Sequence, residues 1–149
     1  MARRKLFTIG YEQTPAKAVL DELERTGVKL LVDVRAVASS RRPGFAKTKL
    51  AANVGTIGME YLHLRGLGTP AEGRAAARAG RYDELRTIYL EHLATPEAQE
   101  ELEQLADLVR SGRRVCLLCF EADPEHCHRS MVAEALQALV PVQVRNLVP

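Results

Sequence analysis

The sequence predicts an α/β protein: a single domain with a mostly parallel sheet of about five strands and helices on both faces. Three observations carry this. Short apolar runs alternate with longer segments of helical period along all 149 residues, the pattern that crossover connections turn into a parallel sheet. Residues 29–34 (KLLVDV) and 113–120 (RRVCLLCF) are apolar on both alternating sets of positions, as strands covered on both faces must be. No internal repeat, low-complexity tract or linker divides the chain, so residues 1–149 are expected to form one domain.

Residues 6–9 are the first predicted strand. Thr14 and Pro15 then predict a helix start, with threonine as N-cap and proline in the first helical position. Val19, Leu20 and Leu23 supply that helix's apolar stripe, and Gly27 suits its C-terminal cap. Residues 29–34 form the second strand, 35–45 a long polar connection, 46–54 a helix and 59–64 (MEYLHL) a third, more amphipathic strand. Thr69, Pro70 and Glu72 read as a capping box opening a helix that breaks near Gly80. Tyr82, Leu85, Ile88, Tyr89 and either His92 or Leu93 mark the next helix. Thr95 with Pro96 opens another, whose stripe is Leu102, Leu105, Ala106 and Val109 and whose end is Gly112. The strand over 113–120, a polar loop (EADPEHCH), an amphipathic helix (RSMVAEALQAL) and a last strand over 142–147 complete the chain.

A formal charge of +2 is close to balance and by itself points to neither nucleic acid nor membrane, although Arg35, Arg41 and Arg42 cluster locally. Three cysteines, an odd number, together with a start whose apolar run is too short for a secretory leader, predict a cytoplasmic protein with free thiols rather than a disulfide framework. No run approaches the ~18 apolar residues of a membrane span, so no membrane partner is expected.

If the strands are parallel, the loops that follow them share one edge of the sheet. These loops are GYEQT, RAVASSRRPGF, RGLGT and EADPEHCH, and they hold most of the unusual polar residues. Ligands of open α/β sheets bind at that edge, where free backbone N–H groups and helix N-termini converge and favour anions. The last loop gathers Cys119, Glu121, His126, Cys127, His128 and Arg129 at one strand-to-helix turn, which a packed core does not require.

Cys127, between two histidines and next to Arg129 at a helix N-terminus, has the surroundings that favour a thiolate; the competing reading is a small buried hydrophobe. Cys119 shares a strand face with Val115 and Leu117 while Cys116 points the other way, so the Cys-x-x-Cys at 116–119 is read as neither a redox pair nor a zinc knuckle. A zinc site of Cys119, His126, Cys127 and His128 is disfavoured by adjacent ligands and missing knuckle spacing, and neither metal nor cofactor is expected. A phosphatase or rhodanese loop would close on an arginine six positions after its cysteine; Glu125 and Ala133 stand there instead.

Arg35, Arg41, Arg42 and Arg129 could clamp one phosphate or carboxylate, against the alternative that Arg35 is a structural partner of Asp33 or Glu121 and that Arg41 and Arg42 are solvated. Asp33 and Glu121 are strand-end carboxylates suited either to proton transfer or to orienting a neighbour. Tyr61 and His63 share one strand face and point either into the crevice or into the core beneath it, and Ser40 lies in the arginine loop.

TIGY near the start, LVDVR followed by SSRRPGF, YLHLRGLG and CFEADPEHCHR together resemble the uncharacterised domain-of-unknown-function family 488. The resemblance spans almost the whole chain and implies a single α/β domain. Its motif positions here are Asp33, Arg35, Ser40, Arg41, Phe45, Tyr61, His63, Gly66, Gly68, Cys119, Glu121, Cys127, His128 and Arg129. Tyr11-Glu12 stands where family members often have His-Ser, which puts a role for the first loop in doubt. The family name implies no reaction.

Two functions follow from the residues. One is an enzyme acting on a phosphorylated or other anionic, nucleotide-like substrate, with Cys127, Glu121, His128 and Cys119 as catalytic candidates. Its anion-binding candidates are Arg35, Arg41, Arg129, Asp33, Ser40, Tyr61 and His63. The other is a non-catalytic module that uses the same arginines to bind a nucleotide or nucleic acid. Few aromatics and no tryptophan argue against extended single-strand stacking.

Overall fold

A computed structural model of the chain describes residues 4–149. The strands are β1 (Arg4–Gly10), β2 (Leu30–Asp33), β3 (Glu60–His63), β4 (Val115–Cys119) and β5 (Val142–Asn146). The helices are α1 (Ala16–Arg25), α2 (Lys47–Gly55), α3 (Ala71–Arg78), α4 (Tyr82–Leu93), α5 (Pro96–Arg110) and α6 (Arg129–Gln137). The strands form one sheet in the order β3-β2-β4-β1-β5, and every pair is parallel. The predicted α/β domain is therefore the observed one.

Strand alternation splits the core in two. Val115, Leu117 and Cys119 of β4 join Val32, Leu105, Val109, Val132 and Leu136 on one face. Cys116 and Leu118 join Phe7, Ile9, Val19, Leu23, Leu50 and Val54 on the other. Helices α1 and α2 therefore cover one face and α3 to α6 the opposite one. From β1 the chain runs outward to β2 and β3 under α1 and α2; it then returns to the centre at β4 and ends at β5 under the remaining helices. This reversal sets β4 between β1 and β2. The connections leaving β1 and β4 depart to opposite faces, so a crevice opens at their carboxyl ends.

Two of the three predicted N-caps differ from expectation. Thr95 caps α5 as predicted, its side chain accepting from the Ala98 N–H. In α1 and α3 the cap position is Pro15 and Pro70, with no side-chain cap bond. Thr14 and Thr69 thus lie one residue outside their helices, and their hydroxyls cannot reach the first-turn amides. The Thr14 hydroxyl donates to the Glu12 carbonyl instead, and Thr69 offers its own carbonyl to Arg74.

In the β1–β4 register Gly10 faces Cys119. A Cβ at Gly10 would lie 1.8 Å from the Glu121 carbonyl oxygen and 2.9 Å from Arg129 Nη1, so glycine is needed for the last loop to close over β1. Gly10→Ala is expected to destabilise the fold by about 1–3 kcal/mol in urea denaturation, as overpacking does. Gly55→Ala, a helical site with nothing within 4 Å of the added carbon, should be neutral or stabilising by up to ~1 kcal/mol. Equal effects would contradict the close approach.

Candidate functional site

The carboxyl ends of β1, β2 and β4 bring Tyr11, Arg35, Cys119 and Glu121 to one cavity of about 120 Å³, closed by Thr69, Arg74 and His128. At roughly 30 Å³ per water, this is room for a phosphate- or carboxylate-sized group. Its wall toward β2 is a locked frame. The Asp33 carboxylate, 0% exposed, accepts from Arg35 N at 3.0 Å, Arg35 Nε at 2.8 Å and Arg35 Nη2 at 2.7 Å, and from the Tyr61 hydroxyl. Arg35 Nη1 donates to Tyr11 Oη at 3.0 Å and the Phe45 carbonyl at 2.8 Å. Of the five guanidinium N–H groups, one on Nη2 is left for a ligand. Burial works against the charge of Arg35, but the bonds to Asp33 outweigh it and hold the guanidinium above its ordinary range. Burial and the same carboxylate raise the Tyr61 phenol. His63 donates from Nε2 to the Arg35 carbonyl at 2.7 Å, and Tyr11 stacks on Phe45 with ring centroids 4.1 Å apart.

The β4–α6 corner is built differently. A short 3-10 turn, Pro124–His126, folds the chain back so that the Cys119 and Cys127 sulfurs meet at bonding distance. This corrects the expectation of three free thiols: Cys116 alone is free, and it is buried on the opposite face. Seven intervening residues of loop sequence carry no sign of that return. Arg129, 0% exposed, donates from Nη1 to Cys119 Sγ at 2.9 Å and to the Glu121 carbonyl. It also donates from Nη2 to the Ala122 carbonyl at 3.1 Å and from Nε to Thr8 Oγ1 at 3.2 Å. No carboxylate forms an ion pair with it among the described residues. Burial pulls its affinity for the proton down, and pushes the Glu121 carboxyl up.

His128 Nε2 donates to the Val34 carbonyl at 2.6 Å, because a carbonyl can only accept. That fixes the tautomer and leaves Nδ1 bearing its lone pair 3.6 Å from Cys127 Sγ. The Arg129 backbone N–H also points at Cys127 Sγ, 3.5 Å away. Burial, reinforced by the Arg129 charge, pushes the imidazole down to about 4, so it is neutral at physiological pH. Ligand atoms of Cys119, Cys127 and His128 lie within 4.8 Å of one another, and this trio is the set that could hold a thiophilic cation.

The sequence of the family described as "Domain of unknown function DUF488" matches residues 15–136. The chain belongs to this family. No curated protein and no solved structure matches it.

Of the site residues expected from the sequence, Cys119, Glu121, Cys127, His128 and Arg129 come together at the corner, and Arg35 faces the same cavity. Arg129 itself is sealed beneath Cys119 rather than facing the cavity. Asp33, Tyr61 and His63 serve the frame around Arg35. Ser40 Oγ accepts from the Arg42 N–H at 3.1 Å, and Arg41 is exposed away from the cavity lining. Sequence reasoning passed over Tyr11, Thr69 and Arg74, all of which line the cavity. Tyr11 is a single aromatic just after the first strand, Thr69 was assigned to a cap, and Arg74 lay within a polar helix.

Asp33→Asn leaves a buried guanidinium without its counter-charge and is expected to cost about 3–5 kcal/mol in denaturation at neutral pH. A second test concerns pH. The His128 ring titrates near 6.5 when unfolded and about 4 when folded, so the unfolded chain binds the extra proton. The contribution of His128 is therefore complete above pH 6.5 and is lost as pH falls toward 4. The stability difference between wild type and His128→Gln should shrink across that window, and a constant difference would contradict the assignment.

Proposed function

We propose that this protein is an enzyme that acts on a small anionic substrate at the carboxyl edge of the sheet, with the Cys119 thiolate as nucleophile. The supporting observation is the Arg129 guanidinium, buried and lacking a carboxylate partner, with Cys119 Sγ 2.9 Å from Nη1. Buried charges require a counter-charge. With the Cys119–Cys127 pair reduced, the Cys119 thiolate supplies it. An adjacent guanidinium lowers a cysteine pKa and so populates the nucleophilic form.

In the proposed step the thiolate's electron pair forms a bond to the electrophilic atom of the substrate. The leaving group departs with the pair of the broken bond and takes a proton from Glu121, whose affinity for that proton is raised by burial. Glu121 Oε2 lies 3.7 Å from Cys119 Sγ, close enough to serve the same reacting centre. The remaining N–H of Arg35 and the half-buried Arg74 hold the anion, with Arg74 carrying the charge that Asp33 cancels on Arg35. Cys127, with the His128 lone pair on one side and a backbone N–H on the other, is the second thiol. Its capture of Cys119 in a disulfide is the inactive, oxidised form. Activity therefore needs a reducing compartment, which fits the cytoplasm.

A metal centre on Cys119, Cys127 and His128 is the weaker reading. Two thiolates would balance a divalent cation but leave Arg129 uncompensated in the same buried corner.

The test is site-resolved alkylation of the reduced protein by iodoacetamide, followed by mass spectrometry, after metal analysis of the preparation. Cys119 should react at neutral pH at least about tenfold faster than an ordinary thiol, and inorganic phosphate should slow it. Arg129→Met should remove most of the excess rate. Slow, equal labelling of Cys119 and Cys127 would reject the nucleophile and favour a binding module.

A further inference from the structure

Beside the small cavity lies a second, larger hollow of about 650 Å³. Arg74, Phe120 and Glu121 line both, so a molecule seated in the larger groove reaches the reacting centre.

The groove is aromatic on two sides, in a chain with only four tyrosines and three phenylalanines. Phe120, the residue after β4, remains 41% exposed, yet it is braced edge-on against Tyr11 with centroids 5.4 Å apart. Tyr82, 37% exposed, lies flat on His126 with centroids 3.9 Å apart. Single exposed aromatics are ordinary on a protein surface. Here three rings line one hollow, and Phe120 and Tyr82 stay partly exposed beside their aromatic contacts.

The groove is also cationic along α3. Arg74 and Arg78, four residues apart, lie on one face of that helix, and neither pairs with a carboxylate among the described residues. Of the groove's carboxyl groups, Glu121 is held toward its neutral form by burial. Glu12 accepts from the Ala122 N–H of the last loop at 3.1 Å, whereas both arginines lie on α3. A surface that stacks planar rings beside two arginines without carboxylate partners fits a heteroaromatic base carrying a phosphate.

We propose that this groove binds a nucleoside monophosphate, its base against Phe120 and Tyr82 and its phosphate on Arg74 and Arg78 at the mouth of the cavity. The proposal rests on the enzyme reading for the role of the bound molecule, but the binding itself does not depend on Cys119 chemistry.

Binding to the full chain is measured by calorimetry with the four common nucleoside 5′-monophosphates, ribose 5-phosphate and adenosine as probes. At least one monophosphate should bind about tenfold or more tighter than ribose 5-phosphate and than adenosine. Phe120→Ala and Tyr82→Ala remove partly exposed side chains and, measured at a temperature at which both variants are folded, should each weaken that binding by about tenfold. Arg78→Ala should weaken it and flatten its salt dependence. Equal affinity for ribose 5-phosphate, or an unchanged affinity in Phe120→Ala, overturns the proposal. Alkylation of Cys119 in the same samples separates the two claims. A fast thiol without nucleotide binding removes only the groove's ligand, whereas nucleotide binding beside an ordinary thiol removes only the nucleophile.

Discussion

The guanidinium of Arg129 lies wholly buried at the start of α6, against the sulfur of Cys119 and two loop carbonyls. Carbonyls and a hydroxyl satisfy its hydrogen bonds but do not cancel its charge, and a buried charge without a counter-ion is among the most unfavourable arrangements a fold can hold. The surrounding structure is arranged for it. Gly10 must lack a side chain so that the Glu121 carbonyl and the Arg129 guanidinium can approach, the 3-10 turn returns Cys127 to the corner, and burial disfavours a negative Glu121. On the proposed reading, the group that balances the charge once the two sulfurs are reduced is Cys119, at the end of the central strand.

The Asp33–Arg35 pair on the neighbouring strand has the opposite character. It is internally neutral, bidentate and further tied by Tyr11, Phe45 and Tyr61, so its contribution is rigidity. His63 and His128 extend this frame by donating to the Arg35 and Val34 carbonyls, which pins the backbone immediately after β2. One side of the crevice is thus a satisfied scaffold, and the other holds a buried guanidinium without a carboxylate ion pair against the joined sulfurs of Cys119 and Cys127. Reactivity is expected on the unbalanced side because only there does a change of charge state relieve a cost.

Much of the fold was legible in the sequence, since apolar runs such as KLLVDV and VCLLC are readable only as doubly covered strands and their order with the helices implies a parallel sheet. Strand alternation also separated Cys116 from Cys119 correctly. The prolines misled at Thr14 and Thr69, because a proline that can occupy the first turn can equally take the cap position itself. At the site, the cluster in CFEADPEHCHR announced itself by composition. Its internal pairing did not: that the Arg129 guanidinium reaches Cys119 while only its backbone N–H meets Cys127, and that the two sulfurs meet each other, are facts of chain and side-chain direction, whereas the Asp33–Arg35 pairing was one of the readings the sequence left open. Arg74 was hidden because an arginine on an amphipathic helix looks solvated until the helix is placed over the crevice.

The central claim is that Arg129 keeps reduced Cys119 ionised. Its most direct test is the ultraviolet thiolate absorbance of reduced Cys127→Ser protein followed against pH. Cys116 stays silent because burial pushes its thiol up, so the signal reports Cys119. The account predicts a midpoint at least about one unit below the ordinary thiol value near 8.5, abolished in the Arg129→Met background. A midpoint at or above the ordinary value would contradict it.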